Sequence, residues 1–80
     1  MTEPITITQS TEADAPKLWR LAALDDRRAP QGPALLAYVG DELRAAVAVS
    51  DGHAVADPFH PTAEIVDLLR FQARRDAVAA

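Results

Sequence analysis

Residues 35–49, LLAYVGDELRAAVAV, hold the strongest constraint on the fold. Two runs, 35–39 (LLAYV) and 43–49 (LRAAVAV), flank the pair Gly40-Asp41. Their apolar residues fall on successive positions rather than alternate ones. As strands they present apolar or small side chains to both faces, and a sheet built from them has to be covered on both sides. Gly40-Asp41 serves as a short hairpin turn between them. The rest of the chain offers two helical segments to supply the two covering layers.

The first segment follows a short strand. Residues 5–8, ITIT, alternate strictly and predict a strand with one buried face. Thr11, followed three residues later by Asp14, gives a capping-box-like helix start. Pro16 complicates it. With Thr11 as the cap, Pro16 falls past the first turn and removes a backbone bond; with Asp14 as the cap it occupies the second helical position, where the missing N–H is harmless. The pattern predicts a ragged first turn and a firm helix over 16–24. Leu18, Leu21 and Ala22 form its buried face, with Trp19 and Leu24 flanking. Pro and Gly make 25–33 a loop.

Asp51-Gly52 is a type I′ turn signal and implies a third hairpin arm over 53–57. Pro58 and Pro61 end that arm. A second helix is expected over 62–77, with Ile65, Val66, Leu68, Leu69, Phe71 and Ala73 on a broad apolar face. Glu64 and Asp67 stand early in it and Arg70, Arg74 and Arg75 late, in accord with the helix dipole. The expected order is β-α-β-β-β-α: one α+β domain over 1–80, an antiparallel sheet with a helix packed on each face.

Composition narrows the function classes. A chain of 80 residues buries only about 60–65% of its unfolded surface, so it relies on its core or on a second copy of itself. With no cysteine there are no disulfides, thiolate chemistry or cysteine-based zinc sites. No apolar run approaches the ~18–20 residues of a membrane span, and the opening MTEPITIT is neither basic nor followed by an apolar stretch, unlike a signal peptide. A cytoplasmic location is the expectation. The formal charge is −4, and the basic residues cluster only as Arg27-Arg28 and Arg74-Arg75. That is a poor footprint for nucleic acid, which rewards a basic stripe. Abundant alanine and arginine with a single lysine reflect a GC-rich genome.

At the level of whole segments the chain resembles the GNAT acetyltransferase superfamily. ITITQSTEADAPKLWRLAAL resembles its opening strand and helix, and LLAYVGDELRAAVAVSDG the two strands that follow. HAVADPFHPTAEIVDLLRFQARR resembles the next strand and helix, the acetyl-CoA-binding unit. The resemblance spans nearly all of this chain and about the first half of a usual member. It is carried by the order and spacing of the segments rather than by one motif. The family places an Arg/Gln-x-x-Gly-x-Gly/Ala loop between that strand and helix, whose N–H groups hold the coenzyme's pyrophosphate. Here the segment is Asp57, Pro58, Phe59, His60, Pro61 and Thr62. It has no glycine, and Pro58 and Pro61 each lack a donor. Asp57, Glu64 and Asp67 surround the helix start with negative charge, which disfavours an anion there. The family's later strand and helix, and its frequent tyrosine acid, have no counterpart before residue 80, and Tyr38 lies in a different strand. The resemblance therefore implies a GNAT-like half sheet with a degenerate coenzyme loop: no catalytic residue, no cofactor, no metal. The alternative is an acyl-CoA-binding or N-acetyltransferase remnant that acts as a dimer and keeps acetyl-CoA as its ligand.

Other residue types are explained more simply. His53, Asp57 and His60 are metal-ligand types at a spacing that matches no standard zinc motif, and surface histidines account for them. Ser50, Asp51 and His53 crowd around one turn too closely for a catalytic triad. Asp25, Asp26, Asp41 and Glu42 lie at turns, where turn chemistry explains them. Arg27 and Arg28 form a solvated loop pair rather than an anion receptor. Partial burial of Trp19 against the sheet rim is the expectation, with an interface anchor as the alternative. Phe59 is either an exposed anchor or a plug over the sheet end. The third hairpin arm would leave Ala54, Val55 and Ala56 at a free edge, and free edges invite pairing. A homodimer through that edge, with Trp19 nearby, is the expected assembly; a monomer whose edge is blunted by Asp57 and Pro58 is the alternative.

Overall fold

The computed structural model describes residues 4–79, with side chains through Arg75. Strand β1 (Ile5–Gln9) leads through a single 3-10 turn (Glu12–Asp14) into helix α1 (Ala15–Leu24). Strands β2 (Ala34–Val39), β3 (Glu42–Ala48) and β4 (Ala54–Ala56) follow, and helix α2 (Ala63–Ala79) is the last described element. The strands form one antiparallel sheet in the order β1-β2-β3-β4. This is the expected α+β order.

The two apolar faces of β2 and β3 are filled as their sequence demands. On one side Leu18, Leu21 and Ala22 of α1 pack on Ala34, Leu36, Ala46 and Val55. On the other, Leu69 and Ala73 of α2 pack on Leu35, Ala37, Ala45 and Val47, with Ile7, Ile65 and Val66 partly buried beside them. Ala37, Ala45 and Ala46 have no exposed surface; side chains this small let each helix come close to the sheet. The alternation of β1 puts Ile7 under α2 and leaves Thr6 and Thr8 in solvent.

The start of α1 follows the Asp14 option. The Thr11 N–H and hydroxyl both donate to Asp14 Oδ2, at 2.7 and 3.2 Å, which closes the 3-10 turn. Asp14 then caps α1, and Pro16 falls in its first two positions. The helix ends in a Schellman pattern: the Asp26 N–H donates to the Ala23 carbonyl at 3.3 Å and the Arg27 N–H to the Ala22 carbonyl at 3.0 Å. The left-handed residue is Asp26, with φ of 53°.

Three expectations change. First, the β3–β4 turn is not type I′. Only Gly52 has a positive φ, 74°, and Asp51 does not. Five residues, 49–53, lie between the strands, and the turn is closed by Gly52 N–H to Ala48 carbonyl (3.0 Å) and Ala48 N–H to His53 carbonyl (2.8 Å). Asp51 instead accepts the His53 N–H at 2.9 Å, a local bond that holds the chain without a second positive φ. The third arm is correspondingly short, Ala54–Ala56. Second, α2 starts one residue later and ends two residues later than expected, so no basic residue lies in its last turn. Third, its apolar face is narrower than the sequence suggests. Leu68 and Phe71 are about half exposed, because α2 lies across β2 and β3 and only one stripe of a helix can touch a sheet. No described helix is long and apolar enough to cross a membrane.

Candidate functional site

The crossing from β4 to α2 concentrates the polar chemistry of the molecule. Asp57 follows directly after β4, and it is buried. Its N–H donates to the Arg44 carbonyl at 2.8 Å, extending the ladder by one residue. Its carboxylate is fully engaged. Oδ2 accepts from Arg44 Nη1 at 2.8 Å, and Oδ1 accepts from the Phe59 N–H at 2.9 Å. The His60 ring lies 3.8 Å from Oδ2, and the His60 N–H donates to the Asp57 carbonyl at 3.3 Å. A buried carboxylate is stable only when paired and hydrogen-bonded in this way.

Arg44 reaches Asp57 because β3 is irregular. Ala37 pairs with Ala45, but Tyr38 pairs with Leu43, so Arg44 is an extra residue against β2. Such a bulge re-aims the side chain it carries. Arg44 is not among the residues that local pattern singles out. Its signal is the single charge inside LRAAVAV, a strand expected to be covered on both faces, with an aspartate at the end of the neighbouring arm.

Beside this crossing lies an open groove of about 660 Å³. Ile5, Val39 and Ile65 form its apolar part, and Arg44, His60 and Thr62 stand at its polar end. Thr62 also accepts the Val66 N–H at 2.9 Å, starting α2. Pro58, Phe59, His60 and Pro61 project into solvent, and Phe59 is 77% exposed, an exposed side chain rather than a plug.

The remaining candidates do not converge on this crossing. His53 Nε2 lies 2.8 Å from the Arg28 carbonyl, and Asp51 pairs with Arg28 at 3.8 Å, so neither is directed at Ser50 as a triad requires. Among the described residues no three histidine or carboxylate side chains gather as metal ligands. Arg27 pairs with Asp25 at 3.3 Å. Asp25 also accepts the N–H of Ala56 at 3.0 Å, a contact across 31 residues that nothing local in the sequence announces. Asp26 caps α1, and Asp41 sits in the β2–β3 turn with Glu42 beginning β3. Tyr38 meets Lys17, whose Nζ lies 3.4 Å from its hydroxyl and 5.3 Å from its ring centre. In β4, Val55 is fully buried and Ala54 and Ala56 are half-buried. Trp19 is 71% exposed. The expected partial burial is overturned because α1 packs through Leu18, Leu21 and Ala22, and residue 19 points away from that stripe.

The crossing thus holds an anion already, its own. The Arg44 guanidinium and the Phe59 N–H both meet the Asp57 carboxylate. No family model, curated protein or solved structure matches this chain.

Proposed function

We propose that the chain is a non-catalytic protein-interaction module, built like the coenzyme-binding half of a GNAT acetyltransferase and self-associating through its sheet. One observation carries the absence of acetyl transfer: Asp57 occupies the strand-to-helix crossing with its own carboxylate, bonded to Arg44 and to the Phe59 N–H. A phosphate entering there has to displace a buried carboxylate from its partners, which costs about 3–5 kcal/mol for a broken buried pair. Exposed Trp19 and Phe59 supply the large aromatic surfaces that favour protein contacts. Native mass spectrometry of the chain with and without acetyl-CoA tests the proposal. The expected spectrum has no coenzyme adduct. A stoichiometric adduct, or coenzyme-dependent acetyl transfer to any amine, defeats it.

A second reading has one observation in its favour. The groove of about 660 Å³ beside the crossing joins an apolar floor to Arg44 and His60, which suits the apolar part of a small anionic ligand such as an acyl-CoA. A melting temperature that rises across an acyl-CoA panel would favour it over the interaction module.

A further inference from the structure

We propose that two copies of this chain join through β1, edge to edge, into one continuous eight-stranded antiparallel sheet. The inference rests on the interaction-module proposal and names both the surface and the partner.

The hydrogen-bond pattern fixes which groups of β1 are available. The Ser10 N–H donates to the Ala34 carbonyl at 2.8 Å, and the Gly40 N–H donates to the Pro4 carbonyl at 3.2 Å. With the register Thr6↔Tyr38 and Thr8↔Leu36, the even-numbered residues therefore bond to β2. In an antiparallel strand both polar groups of a residue point to the same side. Ile5, Ile7 and Gln9 accordingly turn their N–H and C=O groups outward. Among the described residues nothing takes those bonds.

This edge is self-complementary. A two-fold axis at Ile7 sets Ile7 against its copy, Ile5 against the copy's Gln9, and Thr6 against the copy's Thr8. All three outward residues then fall in hydrogen-bonded pairs. The isoleucines of both copies, Ile5 and Ile7, meet on the face that α2 covers, and the threonines meet on the opposite, exposed face. Cross-strand Thr–Thr and β-branched pairs are favourable. The edge carries none of the usual guards: from Ile5 to Gln9 there is no charge, no proline and no bulge. The other edge is guarded. In β4 the outward residues are Ala54 and Ala56, and Asp25 takes the Ala56 N–H. The arm is also three residues long against five for β1. A second copy is the occupant because the interface is isologous: every group on one side finds its partner in the same stretch on the other.

Each copy carries a formal charge of −4, so the dimer tightens as salt screens the repulsion, opposite to an interface held by ion pairs. The decisive experiment uses register. Thr6 and Thr8 are exposed, so replacing them leaves the fold of one copy intact. Thr6→Glu with Thr8→Glu sets like charges opposite one another twice, and weakens the dimer about tenfold. Thr6→Glu with Thr8→Lys sets opposite charges there and restores it. Ile7→Pro removes the central outward N–H without breaking a bond to β2, and also separates the copies. Sedimentation and native mass spectrometry read the mass. A wild-type chain that stays monomeric up to its solubility limit overturns the proposal, as does a dimer indifferent to all three variants. An acetyl-CoA adduct on an intact dimer would defeat the non-catalytic reading and leave the edge standing. A monomer without adduct would do the reverse.

Discussion

The two edges of this sheet are built by opposite means. On the β4 side, polar contacts between distant parts of the chain hold everything in place: Arg44 to Asp57, Asp25 to the Ala56 N–H, His53 to the Arg28 carbonyl. On the β1 side the described structure has the strand ladder, the burial of Ile7 and one side-chain bond at the end of the strand, from the Ala34 N–H to Ser10 Oγ at 3.0 Å, with no charged contact. The short arm, three alanine- and valine-sized residues long, has little apolar surface of its own to hold it against β3. Its position depends on charged side chains supplied from a bulge and from the loop after α1. The longer β-branched strand β1 does without charged support among the described residues. A sheet edge can thus be secured by guarding it or by pairing it, and this chain guards only one.

The contrast is most easily broken at Arg44. Arg44→Met leaves the Asp57 carboxylate buried without its cation, and the expected loss of unfolding free energy is about 3 kcal/mol. Urea denaturation measures it. Adding Asp57→Asn, which removes the orphaned charge while keeping an acceptor for the Phe59 N–H, recovers part of that loss. If Arg44→Met costs no more than an ordinary surface change, β4 does not depend on this pair. The next effect is at Asp25. Asp25→Ala takes the acceptor from the Ala56 N–H and the partner from Arg27, at a cost of about 1–2 kcal/mol. It also uncovers the second edge. The variant is expected to form species larger than a dimer in sedimentation, because each copy then has two open edges.

Much of the scaffold was legible in the sequence, because it depends on local pattern. The doubly apolar runs at 35–39 and 43–49 foretold a sheet with a helix on each face, and Pro16 narrowed the start of α1 to two caps, Thr11 or Asp14, of which the structure takes Asp14. The candidate site was less legible, because its decisive contacts are not local. Glycine's absence from Asp57–Thr62 marked the crossing as unusual, but the ion pair that fills it joins residues on different strands and depends on a bulge. The guard of Ala56 lies 31 residues away. Trp19 was misplaced for a simpler reason: tryptophan's size suggests burial, whereas the stripe set by Leu18, Leu21 and Ala22 decides which side of α1 meets the sheet.

Smaller effects sharpen the comparison. Asp26 holds φ of 53° where helix ends usually place glycine. Asp26→Gly relieves that backbone cost and is expected to stabilise the chain by about 0.5 kcal/mol, visible as a modest rise in melting temperature. A fall would mean that the Asp26 side chain has a role the backbone geometry does not reveal.

Trp19→Ala is expected to have the least effect on folding, within about 0.5 kcal/mol, because the side chain is 71% exposed. Its value lies in what it does to assembly. Helix α1 packs over β3 and β4, away from β1. A dimer joined through β1 leaves Trp19 outside the interface, and the truncation does not change its dissociation constant. A dimer joined through Ala54–Ala56 brings the two α1 helices toward each other, and loss of a tryptophan anchor there weakens association a hundredfold or so, on the order of 2–4 kcal/mol for such residues. Measured beside the Thr6 and Thr8 variants, this one substitution assigns the interface to the open edge or to the guarded one.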